Sequence, residues 1–262
     1  MLTQVSRPGT ILFGLGLATL TADKGNQLIS VADVDGVTLA GLLLEAGAMS
    51  SKTLLELGPS GSAKDHSANP TVAFDVHGRV GGSIVGAAAS CVIINSNNVL
   101  VDNTWLWRAD HGAGGGDWNS DQSNNGLIVN GNDVKVYGLF VEHFQQYQTL
   151  WNGNRGAVYL YQSEMPYDPP DQGSWQAAPN HNGYPSYKVA DSVTSHQAFG
   201  LGVYSVFSNN VTAENGIEAP NVSGVTLSHL VTVSLASGSI THIINGTGGA
   251  VGNGTQTSYT SN

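Results

Sequence analysis

The chain has 262 residues, of which 34 are glycine and only 11% are charged, and its formal net charge at pH 7 is −10. A helical protein would normally carry far more charged residues and leucine, so this composition favours an all-β protein of the kind that is secreted. The 9 basic residues are scattered, which together with the negative charge argues against a nucleic acid or an anionic membrane as the partner, because either needs a Lys/Arg surface.

Short strand-like runs separated by Asn, Asp and Gly recur along the chain. Each has a strand, a corner of Asn, Asp or Gly, a valine and a second strand, as in residues 30–47, 94–111, 129–144 and 219–235. Gly and Asn supply the left-handed or tight backbone that corners in a stacked coil need. The turns NDV (132–134) and NRG (154–156) lie 22 residues apart. A repeat of this length predicts an all-β solenoid, which we assign to residues 1–245.

Three polar, Gly-rich or Pro-rich stretches interrupt the repeat and predict long loops. They are residues 57–70, 111–125 and 167–185. Long loops from one side of a rigid solenoid usually build the binding face, so we expect these loops on one side of the coils. Residues 246–262 have the composition of a tail or linker. We therefore expect the chain to be a piece of a longer, extracellular protein.

Two glutamates occupy the same position of consecutive coils. When the coils are aligned on the residue after the corner, the position eight residues on holds Glu45, Trp107, Glu142, Glu164 and Val233. Neighbouring strands lie about 4.8 Å apart, so the carboxylates of Glu142 and Glu164 would be roughly 5 Å apart. Two acids that close cannot both ionise cheaply, and one pKa should rise, which would provide a general acid. We predict Glu164 as the general acid and Glu142 as an assisting carboxylate.

A carbohydrate-binding surface is predicted around the two acids. Flat aromatic rings suit the apolar faces of pyranose rings, and side-chain amides suit their hydroxyls. The candidates are Trp118, Tyr147, Trp151, Tyr161, Tyr167 and Trp175, with Gln145, Gln148, Asn152, Gln162 and His143 as polar contacts. In the alternative interpretation, the glutamates are merely solvated on the outer face and the aromatic rings fill gaps between coils.

The sequence gives no signal for a metal or a cofactor. No pair of histidines has zinc spacing, there is no CxxC, and the glycine run 112–116 lacks the Lys-Ser/Thr ending of a phosphate loop. We therefore predict a site without metal or cofactor.

Four segments resemble glycoside hydrolase family 55, the β-1,3-glucanases. FDVHGRVGG (74–82), VLVDNTWLWRADH (99–111), VYGLFVEHFQQYQ (136–148) and YQSEMPYDPP (161–170) are similar to runs of that family's second β-helical half, in the same order. The resemblance implies a right-handed parallel β-helix and inverting hydrolysis of β-1,3-glucan. It also implies that Glu164 is the general acid and that Glu142 helps to hold the attacking water.

The same resemblance implies a structural partner. Family members have two tandem β-helices with the cleft between them, so a first β-helix domain or a second copy of this chain would complete the site. Activity of the chain alone is expected to be low.

Three alternatives stay open from the residues themselves. Carboxylates near 5 Å suit a retaining mechanism, whereas inversion needs roughly 6.5–9.5 Å. A polysaccharide lyase on the same scaffold would need a basic residue, and Arg108 and Arg155 are the candidates near the acids. A non-catalytic glycan-binding module would use the aromatic rings and leave the acids inert. A hydrolase that acts on a neutral polysaccharide is the favoured interpretation.

Overall fold

The computed structural model describes residues 3–252 and 256–260, and every regular element in these ranges is a β-strand. In chain order the strands are β1 (Thr3–Val5), β2 (Ile11–Ala22), β3 (Ile29–Val31), β4 (Thr38–Ala46), β5 (Ser51–Leu57), β6 (Val72–Val80), β7 (Ala88–Ile94), β8 (Leu100–Arg108), β9 (Asn125–Val129), β10 (Lys135–Glu142), β11 (Thr149–Trp151), β12 (Gly156–Glu164), β13 (Gln176–Ala178), β14 (His181–Asn182), β15 (Tyr187–Val189), β16 (His196–Ser205), β17 (Thr212–Glu218), β18 (Val225–Ser234), β19 (Ser239–Ile244), β20 (Val251–Gly252) and β21 (Thr257–Thr260). The described residues include no helix that could cross a membrane. The predicted all-β class is confirmed.

The strands alternate between two sheets along the chain. The first sheet has the order β1-β3-β5-β7-β9-β11-β15-β17-β19-β20, and the second has the order β2-β4-β6-β8-β10-β12-β16-β18-β21. Neighbours are parallel throughout, except that β20 and β21 pair antiparallel with β19 and β18. Strands β13 and β14 form a separate hairpin within the loop that follows β12. Each coil thus contributes one strand to each sheet, as the sequence repeat predicts.

Each long strand from β4 to β18 in the second sheet bends at one residue with left-handed backbone. These residues, with φ between 51° and 69°, are Gly41, Asp75, Asn103, Gly138, Leu160, Gly200 and His229. In β10 and β12 the ladder passes over this residue, running from Tyr137 directly to Leu139. Since side chains alternate with a period of two, one extra residue keeps the apolar side chains on both sides of the bend turned inward.

The bend divides the outer surface of the second sheet into two faces. Before it, the rings of Tyr137, Tyr159 and Phe199 stack with centroids 5.0 and 5.4 Å apart. After it, Glu142 and Glu164 pair in register on β10 and β12. The fold therefore presents the two acids on a face of their own.

A ladder of asparagines holds the coils together at the corner after the first sheet. The side-chain amide of Asn152 donates to Asn130, and the amide of Asn130 donates to Asn95, both at 2.8 Å. Such ladders satisfy polar groups where the backbone turns away from the sheets. Asn152 serves this ladder, which places it away from the two acids.

The predicted tail, residues 246–262, lies partly outside the described residues, at 253–255 and 261–262. Its described part includes β20 and β21. The predicted boundary after residue 245 stays a prediction.

Leu160 is the apolar side chain among the left-handed residues at which the long strands of the second sheet bend. Its φ is 64°, and it is 58% exposed. Asn tolerates this backbone better, because left-handed backbone costs other L-residues about 1–2 kcal/mol. Leu160→Asn is expected to raise the free energy of unfolding by about 0.5–1 kcal/mol in chemical denaturation. Leu235→Asn is the control, because Leu235 is also 58% exposed but is absent from the left-handed positions. Equal effects of the two substitutions would contradict the assignment of strain.

Candidate active site

A cavity of about 560 Å³ opens on the outer face of the second sheet, after the bend. One column of paired residues runs along this face. It contains the residues that the sequence alignment places together, which are Glu45, Trp107, Glu142, Glu164 and Val233, with Arg79 and Tyr204 in the coils between them. The cavity is lined by residues of this column and its neighbours, among them Arg79, Trp105, Trp107, Glu142, Glu164 and Tyr167. The predicted stacking of the two acids is therefore confirmed.

Glu142 is half-buried at the floor of the cavity. Its Oε2 accepts a hydrogen bond of 2.8 Å from Nε1 of Trp105. Burial is the largest effect and raises the pKa of the Glu142 carboxyl. The Trp105 hydrogen bond and the neighbouring His143 oppose this rise, and the charges of Glu164 and Asp110 add to it. A carboxylate with a raised pKa is a stronger base.

Three side chains lie within hydrogen-bond distance of the Glu164 carboxyl. Its Oε2 lies 3.3 Å from Nε2 of His143 and accepts a hydrogen bond from the hydroxyl of Tyr167, while Nε2 of Gln162 lies 3.4 Å from Oε1. The hydrogen bond to His143 lowers the pKa of the Glu164 carboxyl, and the Tyr167 hydroxyl adds to this against the effect of burial. The rise in pKa expected from the sequence thus falls on Glu142 and not on Glu164.

His143 occupies a constrained position between the two acids. It follows Glu142 with a left-handed φ of 67°, its side chain is 5% exposed, and its backbone N–H donates to the carbonyl of Glu164 at 2.8 Å. Its Nδ1 lies 3.1 Å from the carbonyl oxygen of Arg108. A carbonyl only accepts, so Nδ1 carries a hydrogen and Nε2 is the atom that faces Glu164.

A buried ion pair fixes the loop that carries Tyr167. The guanidinium of Arg108 donates to both carboxylate oxygens of Asp168 at 2.9 Å, and the two side chains are 1% and 9% exposed. Arg108 also donates to the carbonyls of Asp121 and His143. Because Asp168 follows Tyr167, this pair sets the position of the Tyr167 hydroxyl at Glu164.

The structure brings only some of the predicted substrate contacts to the cavity. Tyr167 and His143 line it, and Gln162 lies beside it on β12. Trp118 packs against the core. The guanidinium carbon of Arg108 lies over the Trp118 ring, 5.7 Å from the ring centroid. Gln145 is buried and donates to the carbonyl of Trp118.

The remaining predicted contacts are placed elsewhere. Trp151, Tyr161 and Trp175 are fully buried between the coils, and Gln148 is buried with both ends of its amide bonded to the backbone of Phe144. A sugar ring cannot reach these side chains, so packing replaces the binding role expected for them. Tyr147 pairs edge-on with Tyr184 outside the cavity.

Sequence reasoning missed Trp105 and Trp107, which form a wall of the cavity with ring centroids 5.8 Å apart. A signal was present, because Trp107 is in the acid column and Trp105 lies two residues earlier, on the same face of β8. Asp168 was missed as well, and Arg108 was considered only as a lyase base.

Comparisons with known proteins give consistent results. The family model described as the LAM55 pectate lyase-like domain matches residues 2–164. An exo-beta-1,3-glucanase from Streptomyces sp. (strain SirexAA-E / ActE) is 44% identical over 248 residues, which are 94% of this chain and 41% of the glucanase. The solved structure of sacteLam55A from Streptomyces sp. SirexAA-E matches with a TM-score of 0.94 and 42% identity over 98% of this chain and 47% of that chain.

A second solved structure gives the same values of identity, coverage and TM-score. It is a variant of sacteLam55A in which a glutamate is replaced by alanine, in complex with glucose. This chain spans less than half the length of these relatives.

Asp168→Asn tests the buried ion pair. It is expected to lower the free energy of unfolding by about 3–5 kcal/mol, because it leaves the Arg108 charge buried without its partner. Denaturant unfolding measures this. The matched control is Asp133→Asn, which breaks the exposed pair with Arg155 and should change stability far less. A loss at position 168 no larger than that at 133 would show that the pair does not fix the loop.

Proposed function

The chain belongs to the LAM55 pectate lyase-like domain family, and from this premise we propose that it hydrolyses β-1,3-glucan. The family match and the Streptomyces glucanase confirm the resemblance to glycoside hydrolase family 55. The observation that carries the proposal is the in-register pair Glu142 and Glu164 at the floor of an aromatic-walled cavity. The substrate would be a neutral glucan whose sugar rings pack against Trp105 and Trp107.

In the proposed reaction Glu164 protonates the leaving glycosidic oxygen, and Glu142 holds the water that attacks the anomeric carbon. The raised pKa of Glu142 suits a group that takes a proton from water. Glu142 accepts a hydrogen bond from Trp105 on β8, and Glu164 accepts one from Tyr167 in the loop after β12. These separate partners would let one carboxylate hold the water while the other protonates the leaving oxygen, which is the division of roles in an inverting enzyme.

We further propose that the coils are right-handed, since a crossover between parallel strands of one sheet is right-handed in about 98% of cases. Two of the predicted loops, 111–125 and 167–185, follow β8 and β12 and would form the rim of the cavity. The loop at 57–70 follows β5 of the first sheet and leads to β6 of the second. Secretion of the protein remains part of the proposal.

The relatives are more than twice as long as the part that this chain spans. We propose that a first β-helix domain completes the cleft. Exposed apolar side chains on β2 support this proposal. Ile11, Phe13 and Leu15 are exposed there, and Leu17, also exposed on β2, lines the cavity, so a covering domain would contact both the strand and the site. A second copy of the chain could cover the same face instead. Measuring binding of the first β-helix domain, and self-association of the chain alone, would distinguish the two.

A lyase reaction is disfavoured by the pairing of its candidate bases. Arg108 is buried with Asp168, and Arg155 is bonded to Asp133 on an exposed corner. Neither guanidinium faces the cavity. Among the described residues there is no group of three or more His, Cys, Asp or Glu side chains that could hold a metal ion.

Release of reducing sugar from β-1,3-glucan tests the proposal, with the chain alone and with a separately expressed first β-helix domain. Glu164→Gln keeps the shape of the side chain but removes its proton, so turnover should fall by about 10²–10⁴-fold. Glu214→Gln is the control, since Glu214 is a partly exposed glutamate outside the cavity. A Glu164→Gln variant as fast as the wild type would refute the assignment, and unchanged glucan affinity without any turnover would indicate a binding module.

A further inference from the structure

Glu164 poses a problem as a general acid, because its lowered pKa leaves the carboxyl ionised near neutral pH. A general acid must carry a proton at the moment the glycosidic bond breaks. The side chain that lowers this pKa most is His143, whose Nε2 lies 3.3 Å from the Glu164 Oε2. His143 is therefore the neighbouring group that can hold the proton which the Glu164 carboxyl lacks.

We propose that His143 and Glu164 share one proton, and that His143 acts as a reservoir that recharges Glu164 in every turnover. This inference rests on the proposed function of the same site. His143 acts through Glu164 and need not touch the glucan.

The geometry leaves the His143 ring a single transferable proton. The Arg108 carbonyl at 3.1 Å holds the hydrogen on Nδ1, so only the position between Nε2 and Glu164 exchanges. The ring packs against Tyr167 with centroids 4.3 Å apart, which limits its rotation. The left-handed backbone at His143 costs free energy, and such strain is found where a function requires it.

The charges that face His143 favour a proton on the pair. Glu164 lies at 3.3 Å and Asp110 at 3.8 Å from the ring nitrogens, and Glu142 precedes His143 in the chain. The positive charge of Arg108 near the ring is matched by Asp168. Three carboxylates thus surround one imidazole, and the nearest cation is already neutralised.

The proposed step conserves every atom and proton. As the bond from the anomeric carbon to the leaving oxygen breaks, its electron pair goes to that oxygen, which takes the proton of the Glu164 carboxyl. Water forms the new bond to the anomeric carbon and loses a proton to Glu142. Nε2 of His143 then takes up a new proton from solvent, which restores the shared proton for the next turnover, and protonated Glu142 releases its proton to solvent.

Two variants at position 143 separate a reservoir from a structural residue. His143→Gln can keep a hydrogen bond to Glu164, and His143→Asn can keep one to the Arg108 carbonyl, but neither side chain titrates. His229→Gln is the matched control, because His229 is an exposed histidine with a similar left-handed φ of 58°. Thermal unfolding of all three variants shows whether they are folded.

The alkaline limb of kcat and the titration midpoint of the Glu164 carboxyl should move in opposite directions. In both position-143 variants, the alkaline limb of kcat should move to lower pH, because the carboxyl of Glu164 alone is left to hold the transferable proton. The variants would then lose about tenfold or more in kcat at neutral pH and recover at acidic pH, with KM little changed. The midpoint of the Glu164 carboxyl, measured by ¹³C NMR, should rise at the same time, because the hydrogen bond that lowers this pKa is gone.

A structural role for His143 would lower stability without moving either readout. An alkaline limb that stays in place in folded variants, or a Glu164 midpoint that does not rise, would overturn the inference. The carboxyl titration needs no substrate. It therefore decides the inference even if every glucan is left intact, a result that would count against the proposed function alone.

Discussion

The exact pairing of parallel coils is the constraint on which the rest of the structure depends. Residues at one position of the repeat meet their counterparts directly, so Glu142 pairs with Glu164 and Trp107 pairs with Glu142. The column of left-handed residues preserves this register, because each strand passes the bend with one extra residue at the same place. A shift by one residue in a single coil would turn one of the acids into the core.

This register forces two carboxylates into adjacent positions, where like charges disfavour joint ionisation. The site resolves the conflict by giving the acids different surroundings. Burial raises the pKa of Glu142, whereas donors from His143 and Tyr167 lower the pKa of Glu164. Divergent environments of this kind are how paired carboxyls acquire separate roles. The Arg108–Asp168 pair, whose two members lie 60 positions apart in the sequence, holds the hydrogen-bond partners of Glu164 in place.

The fold class and the acid column could be predicted because both depend on local signals. Corners need Asn and Gly, and aligning the corners places Glu142 beside Glu164 without further information. The inward direction of Tyr161 was also readable, since it lies three residues before Glu164 and side chains alternate along β12. The ion pair between Arg108 and Asp168 could not be predicted, because the path of the loop after β12 has no local repeat. Nor does the sequence show that His143 turns its Nε2 toward Glu164, which depends on backbone geometry.

The configuration of the first product is the most direct test of the account. Hydrolysis of β-1,3-glucan, by the chain alone or together with the proposed first β-helix domain, would be followed by ¹H NMR before the released sugar mutarotates. A water held by Glu142 and a leaving group protonated by Glu164 predict inversion, so the α-anomer should appear first. First appearance of the β-anomer would mean retention, with one of the two glutamates as a nucleophile, and would contradict the roles assigned to the pair.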